Sequence, residues 1–214
     1  MTARGRSPIP ATAAVLGVVF GAGALAAAFL LAALPPAARP SLPADPVARG
    51  EAFEQALAAA MTSIRNPGEE WAISIDPSDI NAWLATRLPR WIEHDAGLAD
   101  FAPAQSVRIA SLDGTLILED SARASGDPVV SLPVAPALSE SRLTLAIGTA
   151  RVGRLPVPGL ASALAALLRE SLDDLAAGPA RIRLADGRLV ELRGISCEPG
   201  RIALLFATLP AASP

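Results

Sequence analysis

Hydrophobic positions divide the chain into two unlike parts: a long uncharged run near the amino terminus, and a region in which apolar and polar residues alternate regularly. The run covers residues 11–34. As an α-helix it would rise about 36 Å, which is enough to cross a hydrocarbon core of about 30 Å. It is therefore predicted to be a transmembrane helix.

A cleaved signal peptide is the alternative interpretation of this run. Signal peptides have an apolar core of about 7–15 residues followed by a cleavage site of small residues. This run is longer, and Pro35 and Pro36 follow it where cleavage would occur. An uncleaved anchor is favoured, although its alanine content makes the run only moderately hydrophobic. If the run were cleaved, the same domain would be a secreted or periplasmic carrier.

The predicted span divides the chain into segments. Residues 1–10 form a short tail whose Arg4 and Arg6 favour the cytoplasmic side. Residues 35–46 form a proline-rich linker. Residues 47–210 are long enough for one domain. We expect a single-pass protein of the cell membrane with its C-terminal domain outside the cytoplasm, the type of membrane being left open.

Beyond the linker, apolar residues recur at intervals of three and four, which predicts amphipathic helices. Asp45-Pro46 is a start signal for a helix that ends near residues 66–68. Asp76-Pro77 starts a second helix, which is predicted to stop at Pro89, with Trp91 just past its end.

Alternation with a period of two predicts strands in the rest of the domain. They are expected at residues 71–75, 107–109, 116–118, 130–132, 143–147, 182–184, 189–192 and 202–206. Asp113-Gly114 is a hairpin signal, and turns at Asp186-Gly187 and Glu198-Pro199-Gly200 join the last three strands. Pro133 and Pro136 are predicted to end their strand or to place it at a sheet edge.

A leucine-rich helix is predicted over residues 160–175. Helices combined with a mainly antiparallel sheet, without strict βαβ alternation, indicate the α+β class. The predicted fold is an N-terminal transmembrane helix followed by one α+β domain, whose curved, mainly antiparallel sheet packs on two or three amphipathic helices.

Charge and rare residues exclude several functions. All 21 acidic residues lie from Asp45 onward, together with 15 of the 18 arginines, so the domain is net negative and nucleic acid is not an expected partner. His94 is the only histidine and Cys197 the only cysteine. A disulfide framework, a CxxC metal site and a two-histidine metal motif are therefore excluded. No metal or cofactor is predicted.

No pair of residues in the sequence predicts a nucleophile with its base. His94 lies in a polar stretch and is interpreted as a surface histidine, and Cys197 as a buried thiol. The acidic cluster of Glu170, Asp173 and Asp174 is interpreted as a solvated helix face. A non-enzymatic function is predicted.

Arginines and tryptophans are the other candidate binding residues. Five arginines crowd the last three strands: Arg181, Arg183, Arg188, Arg193 and Arg201. On one sheet face they could meet anionic head groups, but pairing with Asp186, Glu191 and Glu198 is favoured. Of the tryptophans, Trp71 and Trp83 are predicted to be core residues and Trp91 to be exposed.

Three features together resemble a known family. They are the single N-terminal span, the helix sequence IDPSDINAWLATRLP over residues 75–89, and the step Gly153-Arg154-Leu155-Pro156-Val157-Pro158 before a leucine-rich helix. This order resembles the YpmS-like family of single-span bacterial membrane proteins with an uncharacterised extracytoplasmic domain. Ile80-Asn81 stands where that family has a Leu-Asn pair. The resemblance implies similarity to lipid-handling folds that wrap a long helix in a curved sheet, and it transfers no active site.

Alternating apolar residues allow either a filled core or a lipid-binding groove, because both need the same pattern. The groove would lie between the concave face of the sheet and the helices. Its candidate lining residues are Trp83, Leu116, Leu118, Leu143, Leu145, Ile147, Leu164, Leu168, Leu204 and Phe206.

The leading hypothesis is a membrane-anchored extracytoplasmic domain that binds or hands on a lipid or other apolar ligand. The alternative is an interaction or structural module of the envelope, with a filled core, no ligand and a protein partner. Gly17 and Gly21 have the small-xxx-small spacing of packed membrane helices, which makes a weak homodimer a further candidate assembly.

Overall fold

A computed structural model of the chain describes residues 42–95, 105–120, 129–167, 178–184 and 186–210, without the side chains of Leu164 and Leu167. The predicted transmembrane helix, most of the linker and the second half of the leucine-rich helix lie outside these ranges. No helix within the described ranges is long and apolar enough to cross a membrane.

Helices and antiparallel strands make up the described domain, which confirms the predicted α+β class. The helices are α1 (Pro46–Thr62), α2 (Pro77–Thr86), α3 (Leu88–His94) and α4 (Leu160–Leu167). The strands are β1 (Glu70–Ile75), β2 (Val107–Leu112), β3 (Thr115–Asp120), β4 (Val130–Ser139), β5 (Arg142–Ile147), β6 (Arg151–Val152), β7 (Leu155–Pro156), β8 (Arg181–Arg183), β9 (Leu189–Glu198) and β10 (Arg201–Leu209).

The strands form two sheets, where a single sheet was predicted. Sheet 1 has the order β1-β10-β9-β8. Sheet 2 has the order β2-β3-β4-β6-β7, and β5 also pairs with β4. The chain therefore leaves sheet 1 after β1, builds sheet 2, and returns to finish sheet 1 with its last three strands. The predicted turns at Asp113-Gly114, Asp186-Gly187 and Glu198-Pro199-Gly200 all join consecutive strands.

Two aspartates cap the first two helices, as predicted. Asp45 Oδ1 accepts from the backbone N–H of Ala48 at 3.1 Å, and Asp76 Oδ1 accepts from that of Ser78 at 2.8 Å. Each cap satisfies an N–H group that has no partner within the helix.

The predicted end of the second helix at Pro89 is wrong. Helix α2 ends at Thr86, and α3 begins two residues later with Pro89 in its first turn. A proline is tolerated there because the first N–H groups of a helix lack an intrahelical acceptor. Trp91, predicted to follow the helix, therefore lies within α3.

The predicted end or edge of a strand at Pro133 and Pro136 is also wrong, since β4 runs through both and pairs on both sides. The Pro133 carbonyl accepts a hydrogen bond from the N–H of Gly148, which lies between the end of β5 and the start of β6. The carbonyl of Pro133 therefore points toward this gap between the two strands. One residue's N–H and C=O share a side of an antiparallel strand. Pro136 hence faces the other edge, beyond the last pairing with β3, Leu116 with Val134. At neither proline, therefore, does a partner strand require a hydrogen bond from the backbone nitrogen.

Helices α1 and α2 pack closely at Gly50, which is buried. A Cβ built on Gly50 would lie 2.7 Å from Thr86 Oγ1 and 3.2 Å from the Ala82 carbonyl oxygen. Thr86 Oγ1 also donates to the Ala82 carbonyl at 2.7 Å. The absence of a side chain at position 50 is what allows this approach of the two helices.

The carboxyl end of α1 is capped from a distant part of the chain. Arg188, in the turn between β8 and β9, donates from Nη1 to the Ser63 carbonyl at 2.8 Å and from Nη2 to the Thr62 carbonyl at 3.3 Å. Its Nε donates to Asp186 Oδ2 at 2.7 Å. A cation at this position stabilises a helix because the last carbonyls carry partial negative charge.

Candidate functional site

One face of sheet 2 collects five of the ten predicted groove residues. The strand register places Leu116 opposite Val134 and Leu118 opposite Leu132, and Val134 opposite Ile147 on the next strand. We call this side the apolar face. Its apolar members are Val107, Ile109, Leu116, Leu118, Val130, Leu132, Val134, Pro136, Leu138, Leu143, Leu145 and Ile147.

Only the centre of the apolar face is buried. Leu132 and Val134 form a buried cluster with Ala150. Leu118, Leu145 and Ile147, together with Leu160 and Ala161 of α4, are partly buried and pack against this cluster. Leu116 and Leu143 are also half-buried. The beginning of α4 therefore covers part of this face.

Leu204 and Phe206 lie in sheet 1, not in sheet 2. Leu204 is opposite Ile73, and Phe206 stacks on Trp71 with ring centroids 4.8 Å apart. Cys197, on the neighbouring strand β9, lies on the same face of sheet 1 as Leu204 and Phe206. Its thiol has a hydrogen bond with the side chain of Ser111, which lies at the edge of the apolar face of sheet 2. The two apolar surfaces therefore meet at this contact.

Three further candidate groove residues occupy other positions. Trp83 lies on α2 and donates its indole N–H to Glu54 at 3.1 Å, so it faces α1. Leu164 belongs to α4, but its side chain is outside the description, as is all of Leu168. The structure thus brings five predicted residues onto one face and places four others elsewhere: Leu204 and Phe206 on β10, Trp83 on α2 and Leu164 on α4.

A cleft of about 280 Å³ lies between α1 and β1. Its apolar lining comes from Ala52, Phe53, Ala56, Leu57, Ile73 and Ile75. Arg49 and Asp79, which form an ion pair at 2.5 Å, also line it. None of the ten predicted groove residues lines this cleft. The volume is close to the lower limit of small-molecule sites, about 300 Å³.

A second, more open pocket of about 450 Å³ lies where α1 meets α3. It is lined by Glu54, Arg87, Arg90, Trp91, His94 and Asp95. Trp91 is 48% exposed, which confirms the prediction of an exposed tryptophan. His94 is exposed at the end of α3, and its Nδ1 lies 2.6 Å from the Arg90 carbonyl oxygen. Because a carbonyl only accepts, Nδ1 carries the hydrogen of this bond.

Glu54 is the polar centre of the helical layer. Its Oε2 accepts from Arg87 Nε at 2.9 Å, from the Trp83 indole at 3.1 Å and from the Trp91 indole at 3.4 Å. The hydrogen bond from Arg87 is the largest cause that holds the pKa of Glu54 below its usual value, and partial burial opposes it. Glu54 is therefore an anion that fixes an arginine and two indoles.

The arginines of the last strands are mostly paired. Arg181 and Arg193 both contact the buried carboxylate of Glu191, at 3.5 and 3.3 Å. A hydrogen bond from Ser141 is the largest cause that lowers the pKa of Glu191. With Arg188 on Asp186, this agrees with pairing by Asp186 and Glu191 rather than with a row of free cations.

The described residues include the single cysteine, and its environment can be compared with the prediction. Cys197 is a free, buried thiol, as predicted, and burial raises its pKa, which disfavours the reactive thiolate. In the described ranges, no group of three or more His, Cys, Asp or Glu side chains is arranged to hold a metal ion.

Asn81 is a structural residue that the sequence reasoning did not identify. Its side chain is 1% exposed, its Nδ2 donates to the Ile109 carbonyl at 2.8 Å, and its Oδ1 accepts from the Ile109 N–H at 2.7 Å. It thus holds α2 against the outer edge of β2. The only local signal was its place among apolar positions of an amphipathic helix.

Glu54 was also missed, because nothing near it in the sequence distinguishes it from other helical glutamates.

Comparison of the chain with models of known protein families, with curated proteins and with solved structures finds no match.

Proposed function

We propose that the protein is a single-pass membrane protein whose extracytoplasmic domain binds a lipid or other apolar ligand and catalyses no reaction. The observation that carries this proposal is the apolar face of sheet 2. Of its apolar side chains only Leu132 and Val134 are buried, while the flanking ones keep part of their surface accessible. A filled core would bury such a face, whereas a ligand site leaves it accessible.

The composition of this face suits an aliphatic ligand. The apolar side chains named above are leucine, isoleucine, valine and proline, with no aromatic ring among them. Saturated chains gain from contact with such surfaces roughly in proportion to the area removed from water. The resemblance to the YpmS-like family remains part of the proposal, and Asn81 of the Ile80-Asn81 pair would there be a scaffold residue.

The test is a comparison of lipid carried by the full chain and by two variants. Leu143→Asn places an amide on the apolar face, away from the buried cluster. Leu112→Asn places the same amide on the opposite face of sheet 2, where Leu112 is 40% exposed. Each protein is extracted in mild detergent, and its bound lipid is measured by native mass spectrometry and organic extraction.

All three proteins carry lipid around the predicted span. A difference in the amount of bound lipid between them therefore measures lipid bound by the domain. We expect Leu143→Asn to lose bound lipid several-fold and Leu112→Asn to keep it, because an unpaired amide in an apolar site costs about 1–3 kcal/mol. Equal lipid in all three proteins would mean that the apolar face binds none.

An envelope interaction module is the second candidate, and Ile64 is the observation that favours it. This side chain, just beyond α1, is 94% exposed, which is unusual for a large aliphatic residue. A photo-crosslinking amino acid at position 64, in native membranes, would capture a protein partner if this function is the correct one. Capture of lipid or of nothing would oppose it.

A further inference from the structure

Three exposed apolar side chains lie before α1, in its first turn and beside its middle. Leu42 is 42% exposed, Val47 45% and Trp91 48%. Val47 and Glu54 are seven residues apart on α1, so they share one helix face. Trp91 bonds to Glu54 from the neighbouring helix, which brings Trp91 to that same face.

The position of Trp91 is set by polar contacts and not by burial. Its indole N–H donates to Glu54, and Glu54 is held by Arg87, which also contacts Glu51 at 3.4 Å. The ring is thus held in place while half of the residue stays in contact with solvent. A fixed, amphipathic indole of this kind suits the boundary between water and hydrocarbon.

Arg90 stands beside Trp91 in the open pocket and is exposed. Among the ion pairs of the described residues none involves Arg90. Its guanidinium can therefore donate to a phosphate group. An exposed indole with an adjacent guanidinium is the combination that meets the ester and phosphate layer of a bilayer.

The predicted tether is short enough for this surface to reach the membrane. Thr86 Oγ1 contacts the Pro46 carbonyl oxygen at 3.4 Å, so the step from α2 to α3 lies at the beginning of α1. Glu54, which holds Trp91, is about 12 Å along the helix from Pro46. The linker of residues 35–46 spans at most about 37 Å if it is fully extended as polyproline II.

We propose that Leu42, Val47, Arg90 and Trp91 form a surface that docks the domain on the head-group layer of the bilayer that anchors it. This Trp91 surface rests on the membrane part of the proposed function, and it adds the orientation in which the domain is held. Because Glu51 and Glu54 pair with Arg87, and Asp95 lines the pocket with Arg90, the surface has no positive excess. Its partner is therefore a zwitterionic lipid surface rather than an anionic one.

The test measures the depth of Trp91 with the full chain in phosphatidylcholine nanodiscs that contain a lipid with a nitroxide on its head group. Tryptophan fluorescence of the unchanged chain is compared with that of Trp91→Phe, and the difference is the signal of Trp91. A second reporter, Ile64→Trp in the Trp91→Phe background, marks the other end of α1, which is about 25 Å long.

We expect the nitroxide to quench the Trp91 signal and to leave the reporter at position 64 unquenched. A matched pair of charge variants tests the surface without removing the reporter. Val47→Asp should lower the quenching about twofold or more, because it replaces an apolar side chain by a carboxylate that would lose water on entering the head-group layer. Ala58→Asp adds the same charge on the same face of α1, three turns further from the tether, and should leave the quenching unchanged.

Each other outcome overturns the inference. If the chain co-elutes with the nanodiscs but Trp91 is not quenched, or position 64 is quenched more strongly, the anchor is present and the docking surface is wrong. The inference is also overturned if both aspartate variants behave alike. If the chain does not co-elute with the nanodiscs, the membrane part of the proposed function fails, and the docking surface fails with it.

Discussion

Glu54 shows how one carboxylate can organise three side chains at the scale of a single residue. The side chain is 26% exposed, yet it accepts hydrogen bonds from Arg87, Trp83 and Trp91. Its charge strengthens these bonds, since hydrogen bonds to an ionised acceptor are about twice as strong as neutral ones. Both pocket residues of interest, Arg87 and Trp91, therefore take their positions from Glu54.

Replacement of Glu54 by glutamine is expected to lower the free energy of unfolding by about 1 kcal/mol at neutral pH, since the amide keeps one acceptor oxygen but loses the charge. The pKa of Glu54 is lower in the folded protein than its ordinary value of 4.5. Its contribution is thus present above that value and is lost as the pH falls through the lowered folded value.

Urea unfolding of the full chain in mild detergent, at neutral pH and then at successively lower pH below about 4.5, measures this effect. The difference between the unchanged chain and Glu54→Gln should close as the pH falls. Glu93→Gln, at an exposed position on α3, is the control and should show no difference at any pH. A gap that widens in acid would contradict this role for Glu54.

Residue-scale predictions from the sequence succeeded where local pattern determines the environment. Cys197 is buried and Trp91 exposed, as their neighbours indicated. Glu54 and Asn81 were not found, because their partners lie 33 and 28 residues away along the chain. The local sequence does not identify such partners, since the contacts exist only after the helices have packed.

At the scale of the element, Asn81 joins α2 to β2 with the same two hydrogen bonds that the backbone of a neighbouring strand would make. Its amide pairs with both backbone groups of Ile109, on the side of β2 that faces away from β3. Strand edges leave unpaired N–H and C=O groups that must be satisfied or exposed to water. Helix α2 thus covers this edge through one side chain.

Asn81→Leu is expected to lower the free energy of unfolding by about 2 kcal/mol, because two part-buried backbone groups of Ile109 lose their partners. Asn66→Leu is the matched control, since Asn66 is exposed in the turn after α1. Urea unfolding of both variants measures the difference. Equal stability of the two variants would show that water replaces the amide at Ile109 without cost.

Helix starts and turns followed local chemistry closely, whereas the ends of the first two helices and the effect of two prolines on β4 were predicted wrongly. The aspartate caps and glycine turns were predicted because their hydrogen bonds lie within a few residues. The effect of Pro133 and Pro136 on β4 was not predicted correctly. Whether a proline disrupts a strand depends on whether its nitrogen, which carries no hydrogen, faces a partner strand. That side is set by partner strands, which the alternation pattern does not identify.

At the scale of the whole molecule, the hairpin between β4 and β5 reaches from sheet 2 to sheet 1. Ser141, in its turn, hydrogen-bonds to the buried Glu191, and its carbonyl accepts from Ala180 N at 2.6 Å. Ser141 and Glu140 both have positive φ, 62° and 51°, although neither is a glycine. The turn keeps a conformation that costs L-residues about 1 kcal/mol each.

Glycine at the two turn positions is expected to have opposite effects. Glu140→Gly should raise the free energy of unfolding by up to about 1 kcal/mol, because it only relieves the positive φ. Ser141→Gly should lower it by about 1 kcal/mol, because loss of a hydrogen bond to a buried carboxylate exceeds that relief. Urea unfolding separates the two variants. Stabilisation by both would mean that the Ser141 contact does not hold the sheets together.

The arrangement in two sheets was the part of the fold that sequence reasoning missed. Alternation of apolar residues predicts strands, but strands of either sheet have the same period. The predicted groove residues Leu204 and Phe206 were therefore assigned to the same sheet as Leu116 and Leu118. Their true partners, Ile73 and Trp71, lie more than a hundred residues earlier in the chain.

The pairing of β1 with β10 has a consequence for synthesis of the chain. Strand β1 has no other partner in sheet 1, and α1 receives its C-terminal cap from Arg188. The hairpins of sheet 2 can close as soon as they are made, because their turns are short. The first strand of the domain must wait for the last one, so a chain that stopped within β10 would leave β1 without its pairing partner.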